Sequence, residues 1–185
     1  MRLILASASP RRKELIKKID DLIVEVVPSL ADERADASSP VEYAVELAAL
    51  KAKDVFDKRG GVVLGADTVV AVEGKILGKP KNAEQALEMF RLLCGKTHAV
   101  ITGICIISQE LTIKDADVSL VTFADFDYDK VAQYVSTGSP FDKAGGYGIQ
   151  DEQVQAMVTH IEGDIDNIVG LPVGKIEKLL KQFRR

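Results

Sequence analysis

The chain has 185 residues, 46% of them hydrophobic, enough to bury a sizeable core within one domain covering residues 1–185. Lys plus Arg number 24 against 28 for Asp plus Glu, a net charge of −4, which argues against a nucleic-acid coat or a membrane-surface binder, since both need a basic excess. Two cysteines and two histidines make neither a disulfide framework nor a zinc site of ordinary spacing, so the expected compartment is the reducing cytoplasm. No apolar run approaches the ~20 residues of a membrane helix. The opening Met1–Ser7 is too short for a signal peptide, and Arg11-Arg12 follow where a cleavage region belongs.

In chain order, Leu3–Ala6 reads as a short buried strand. Ser9 as N-cap and Pro10 in the first position open a helix running to about Ile19. Leu22–Val27 is rich in branched residues and predicts a second strand, ending at Pro28. A polar loop, Ser29–Ser39, leads to a capping box of Ser39 and Glu42 and a helix to about Asp57. Val62–Val72 predicts a strong strand interrupted at Gly65-Ala66-Asp67-Thr68, with Glu73-Gly74 turning into Lys75-Ile76-Leu77. Asn82 caps a helix whose apolar residues Ala86, Leu87, Phe90 and Leu93 keep helical spacing up to Gly95. Strands follow at His98–Ile107 and Asp117–Phe123, then a helix at Tyr128–Ser136 and a glycine-rich stretch, Ser139–Gln150. A strand near Ala156–Ile161 and a helix from Pro172, with Ile176, Leu179, Leu180 and Phe183 on one face, close an α/β chain.

Several segments carry residues suited to chemistry. The turn Ser7-Ala8-Ser9-Pro10-Arg11-Arg12 joins a strand to a helix start, where backbone N–H groups, two hydroxyls and two guanidiniums suit phosphate. The alternative is a well-capped helix with solvated arginines. Asp67, between apolar strand residues, reads as a general base, a divalent-cation ligand, or a carboxylate bonded to backbone at a bulge allowed by Gly65. Lys79 lies on a constrained turn, either returning to the same site or simply at the surface. Asp32-Glu33 offer acidic metal ligands or a solvated pair, and Lys51 and Lys53 sit on a helix, where basic residues usually face water. The loop Asp142–Gln150 permits close backbone approach to a ligand, and Gln150 offers a donor and an acceptor to a base edge. His98 and His160 lie in apolar runs and read as structural; Cys94 and Cys105 lack a nearby His–acid pattern.

Together, Ser7-x-Ser9-Pro10-Arg11-Arg12, Gly65-Ala66-Asp67-Thr68, Gly78-Lys79-Pro80, Gly95-x-Thr97-His98, Asp142–Gln150 and Val169-Gly170-Leu171-Pro172 stand in the order expected of Maf proteins. The resemblance covers nearly the whole chain. Maf proteins are nucleoside triphosphate pyrophosphatases, historically called septum-formation inhibitors. The resemblance implies an elongated, twisted, mixed sheet flanked by helices, with two lobes around a central cleft, a fold of the Maf/ITPase type. It implies hydrolysis of a nucleoside triphosphate to the monophosphate and pyrophosphate with Mg²⁺ or Mn²⁺. By motif, Asp67 is the expected proton acceptor, with Lys79 also in the catalytic set. Ser7, Arg11, Arg12, Lys51, Thr68 and Gln150 are expected to bind substrate, with Arg11, Thr68 and Gln150 at the positions that select it. Glu33 and Asp67 are the expected metal ligands. Arg11-Arg12 combined with Gly148-Ile149-Gln150 resembles the branch acting on dTTP and UTP rather than the branch preferring 7-methyl-GTP.

The implied partner is a nucleotide substrate, with no membrane and no stable nucleic-acid partner; a homodimer is the compatible assembly. The chain departs from the family pattern at Asp151-Glu152, where many members carry a glycine, and at Ile165-Asp166-Asn167, where an aromatic is usual. Both departures bear on base preference and on a lobe surface, and both leave the catalytic set intact. Competing readings are a 7-methyl-GTP or other modified-nucleotide pyrophosphatase, a non-enzymatic septum regulator, an RNA-binding module and an enzyme cleaving the terminal phosphate. The regulator would not need basic residues converging on an Asp. The acidic balance opposes RNA, and no Walker motif supports cleavage of the terminal phosphate.

Overall fold

Ser9 begins the first helix by accepting a hydrogen bond from the Arg12 N–H at 3.4 Å, and Pro10 fills the first position. Strand β1 (Arg2–Leu5) therefore passes directly into α1 (Pro10–Ile16). The helix stops three residues before the predicted end, and Lys17, Lys18 and Ile19 tighten into bonds to the third residue back. After β2 (Ile23–Val26), the Ser39 hydroxyl caps α2 (Pro40–Arg59), accepting from the Glu42 N–H at 3.2 Å, while the Glu42 carboxylate reaches back to Ser38. Strand β3 (Val63–Val72) is continuous through the segment where an interruption was expected. Glu73 and Gly74 both take positive φ, giving the tight hairpin into β4 (Lys75–Leu77).

Helix α3 (Ala83–Leu93) is capped by Asn82 as predicted, and β5 (Thr97–Ile107), β6 (Thr112–Phe123) and α4 (Tyr128–Ser136) follow. The glycine-rich stretch folds into two short turns, after which come α5 (Glu152–Gln155), β7 (Val158–Glu162), α6 (Ile165–Val169) and α7 (Val173–Leu180). Helices α5 and α6 are single turns of four and five residues, too short to show periodicity in sequence.

This computed structural model describes residues 1–183. The fold is mixed α/β, a seven-stranded open sheet in the order β2-β1-β3-β5-β6-β7, with β4 paired to β3. β1 runs parallel to β2 and β3, whereas β3/β4 and β6/β7 are antiparallel. Two compact units emerge: residues 1–68 with 102–117 and the segment from 165, and residues 69–101 with 118–164, so β3, β5 and β6 each contribute to both. In the first unit, Leu5, Leu64, Ala66, Ile104 and Ile106 pack on one sheet face with Leu15 and Ile16 of α1 and Leu171, Ile176 and Leu180 around α7. The opposite face packs Ala6, Val63 and Cys105 against Ala48, Ala52 and Val55 of α2. In the second unit the core is aromatic: Phe90 stacks on Phe123 and takes the edge of Tyr134, while His98 meets Phe123 and Tyr147 edge-on. No helix among the described residues is long and apolar enough to cross a membrane.

Candidate active site

Alternation along β3 sends Asp67 and Thr68 to opposite faces of the sheet. Val63, Gly65 and Asp67 share the α2 face. A Cβ at Gly65 would stand 2.2 Å from the Ala48 carbonyl oxygen and 2.7 Å from the Ala52 nitrogen, so glycine there lets α2 lie directly on the strand. Gly103 of β5 meets Ala44 in the same way. This close approach brings Lys51, on α2, to Asp67: the Lys51 Nζ donates to Asp67 Oδ1 at 2.6 Å and lies 3.0 Å from Glu33 Oε1. Asp67 is 8% exposed, and the ammonium supplies the partner that a carboxylate in an apolar strand requires. The bulge reading is therefore replaced by an ion pair across a helix–strand contact. Lys51, expected to face water by helix statistics, is instead only 12% exposed in its side chain.

Thr68 turns to the other face and meets α1. Arg12 Nη2 donates to Thr68 Oγ1 at 3.0 Å, and Arg12 Nε donates to the Gly170 carbonyl at 2.8 Å. Burial lowers the Arg12 pKa from its usual value; the charges of Asp67 and Glu33 oppose that, and Arg11 adds to it. Ser7 is buried, and its hydroxyl accepts from the Ser9 N–H at 3.1 Å. Arg11 is half-buried on the first turn of α1. Seven of the predicted residues, Ser7, Arg11, Arg12, Glu33, Lys51, Asp67 and Thr68, accordingly belong to the first unit.

Lys79 and Gln150 belong to the second unit, and both are exposed. The Gly78-Lys79-Pro80 turn is tied to the glycine-rich loop by the Gly145 N–H, which donates to the Gly78 carbonyl at 2.9 Å. Gly145 has φ +69°, and a Cβ there would press on Val70, so the approach depends on glycine. Asp151, one of the departures from the family pattern, accepts from the Tyr134 hydroxyl at 2.5 Å and from Ser139 Oγ at 2.8 Å. Tyr134 in turn accepts from the Gly148 N–H at 3.1 Å, and burial together with its hydrogen bond to Asp151 raises its pKa to about 12. The Asp151 carboxylate is therefore an internal anchor of the loop that presents Gln150. His98 is structural as expected, buried with its Nε2 2.7 Å from the Tyr147 hydroxyl, whereas His160 is exposed on β7.

Sequence reading missed Thr102 and the backbone of α6, which extend the Arg12–Thr68 contact inward. Thr102 Oγ1 lies 2.9 Å from Thr68 Oγ1 and donates to the Asn167 carbonyl at 3.1 Å. A hydroxyl inside an otherwise apolar strand was the available signal. Among the described residues, no group of three or more His, Cys, Asp or Glu side chains is arranged to hold a metal ion by itself. The available donors for a metal are the carboxylates of Glu33 and Asp67, already close enough to share one cation in Lys51. Two hard oxygen donors suit Mg²⁺ or Mn²⁺ where phosphate and water complete the shell, so these residues fit such an ion.

The family model described as Maf-like protein matches residues 2–183. The chain belongs to the Maf family. This Maf-like chain is 47% identical over 178 residues to a dTTP/UTP pyrophosphatase of Thermococcus gammatolerans, covering 96% of this chain and 94% of that one. It is 46% identical to a dTTP/UTP pyrophosphatase of Bacillus mycoides, over 98% and 95% of the two chains. With the dTTP/UTP pyrophosphatase of Pyrococcus furiosus the identity is 44%, over 97% and 94%. Among solved structures, the Ham1 protein of Staphylococcus aureus superposes with a TM-score of 0.61 at 14% identity, over 100% of both chains. A HAM1 protein from Coxiella burnetii gives 0.52 at 16% identity, over 98% and 99%. At these identities the likeness concerns the fold, which the Maf chain shares.

Proposed function

We propose that this Maf protein hydrolyses dTTP and UTP to the nucleoside monophosphate and pyrophosphate. The observation that carries the reading is the buried Asp67 carboxylate paired at 2.6 Å with Lys51. A carboxylate beside a cation that can also meet phosphate supports Asp67 as the proton acceptor of this reading. The names of the Thermococcus, Bacillus and Pyrococcus relatives support the substrate class.

In the proposed reaction, water attacks the α-phosphorus and the bond to the oxygen bridging to the β-phosphorus breaks, releasing pyrophosphate. Asp67 orients the water and takes its proton. Arg12 and Lys51 offset phosphate charge, and we assign Lys79 to the charge that grows on the leaving pyrophosphate. Ser7 and Arg11 complete phosphate binding, Thr68 contributes to substrate selection, and Gln150 reads the base. Uracil and thymine present two carbonyl acceptors flanking an N–H donor, and one amide matches half of that edge. Glu33 and Asp67 would hold Mg²⁺ or Mn²⁺, which supplies further positive charge against the phosphates. A reducing compartment suits the two free thiols, Cys94 and Cys105.

The test is incubation with dTTP, UTP, CTP, ATP, GTP and 7-methyl-GTP in Mg²⁺, with pyrophosphate and orthophosphate measured separately. Pyrophosphate release with dTTP and UTP giving the highest kcat/KM is the expected result. Release of orthophosphate overturns the reaction, and a highest value for 7-methyl-GTP overturns the substrate assignment.

A further inference from the structure

Behind Arg12 lies a row of hydroxyls whose direction follows from counting protons. Arg12 can only donate, and the Asn167 carbonyl, at the far end, can only accept. Thr102 spends its single proton on that carbonyl at 3.1 Å, so in its 2.9 Å contact with Thr68 it must accept. Thr68 then spends its own proton on Thr102 and is left facing Arg12 Nη2 as a pure acceptor at 3.0 Å. The other acceptor open to the Thr68 proton, the Gly170 carbonyl, is farther away at 3.5 Å and already takes Arg12 Nε at 2.8 Å.

Thr102 and Asn167 are both fully buried. The carbonyl that ends the row belongs to α6, which is closed by the Gly170 and Leu171 N–H groups donating to the Asp166 carbonyl and pinned to Lys18 through the Asp166 side chain at 2.6 Å. A buried hydroxyl is retained at a cost unless its bonds are made, and here both are.

We propose that Thr102 is a positioning residue: it turns the Thr68 hydroxyl into a fixed acceptor and thereby locks the Arg12 guanidinium in one orientation, with Nε on Gly170 and Nη2 on Thr68. The consequence for phosphate rests on the function proposed above; the locking itself does not. With its proton committed, Thr68 has nothing to donate to a phosphate oxygen, and its remaining lone pair accepts only from a donor. Phosphate binding at this point therefore falls to the guanidinium, whose orientation is set before substrate arrives.

Two measurements separate the parts. In nucleotide-free protein, low-temperature NMR of the Arg12 guanidinium, assigned by its loss in Arg12→Lys, should show separate Nη signals in the wild type and in Thr102→Ser. In Thr102→Val, which keeps the β-branched shape, rotation should be released and the signals should merge. Thr102→Ala serves as the second variant should valine disturb folding. For dTTP, Thr102→Val should lose about 10-fold in kcat/KM, mainly through kcat, and Thr102→Ser should recover to within about 3-fold. Separate Arg12 signals in Thr102→Val, or kcat/KM unchanged in an active Thr102→Val enzyme, overturns the proposal. If the wild type releases no pyrophosphate from any nucleotide, the functional reading fails, and the Arg12 signals still decide the role of Thr102.

Discussion

Asp67 and Gln150 represent the two kinds of residue the proposed reaction needs, one enclosed and one presented. Asp67→Asn keeps the shape and leaves Lys51 its ion pair with Glu33, so the far-UV spectrum should be unchanged. Loss of the proton acceptor should lower turnover by ~10²- to 10⁴-fold. Steady-state kinetics check this, and near wild-type turnover would remove Asp67 from the chemistry. Gln150 is exposed, and the adjoining Asp151 is held by Tyr134 and Ser139, so truncating Gln150 should leave the loop in place. Gln150→Ala should therefore narrow the preference for dTTP and UTP over ATP and GTP more than it lowers the best rate. Equal losses across all four nucleotides would place Gln150 outside base recognition.

Helix α2 and strand β3 act together because Gly65 removes the side chain that would hold them apart. The groups a Cβ would strike are backbone atoms of Ala48 and Ala52 and the Ala52 methyl carbon, none of which can rotate away. Gly65→Ala should thus push α2 outward and cost about 1–3 kcal/mol, read as a lower urea midpoint. Since Lys51 rides on α2 and Asp67 on β3, their 2.6 Å pair should loosen and kcat should fall in the same variant. An unshifted midpoint with full activity would contradict the close approach. At the level of elements, the caps were legible: Ser9, Ser39 and Asn82, the predicted capping residues, each accept a backbone N–H of the first turn. The continuity of β3 was not, because Gly65 and Asp67 resemble a break locally and find their reason in α2.

Across the whole molecule, pH acts on stability through a histidine remote from the proposed chemistry. Burial lowers the His98 pKa to about 4, with the Lys96 backbone opposing it in part. Above about pH 6.5 the imidazole is neutral both folded and unfolded, and it adds no pH dependence. As pH falls from there towards 4, the unfolded chain takes up a proton that the folded core refuses, so stability is lost. A depression of this size corresponds to about 3 kcal/mol. Urea unfolding at pH 7 and pH 4 should show wild type losing more stability than His98→Phe by roughly that amount. Parallel losses would mean that the imidazole is protonated within the fold.

The order of the strands and of every helix but α5 and α6, the caps, the Glu73-Gly74 hairpin and the family motifs are local properties, and they were legible in the chain alone. Each depends on spacing of two to four residues, or on φ preferences that glycine, proline and capping side chains impose wherever they stand. Lys51 and Asp67 are 16 positions apart, Arg12 and Thr68 are 56 apart, and Thr102 and Asn167 are 65 apart. Which of these meet was decided by tertiary structure: α2 lying on one face of β3, and α1 and α6 on the other. Lys51 reads as a surface lysine and Thr102 as a flaw in an apolar strand until those faces are in place. Asp151 reads as a stray charge beside the ligand loop until Tyr134 folds against it. A hydrogen bond or ion pair between distant residues leaves no periodicity in the chain, and it forms only when packing has already brought both backbones within reach.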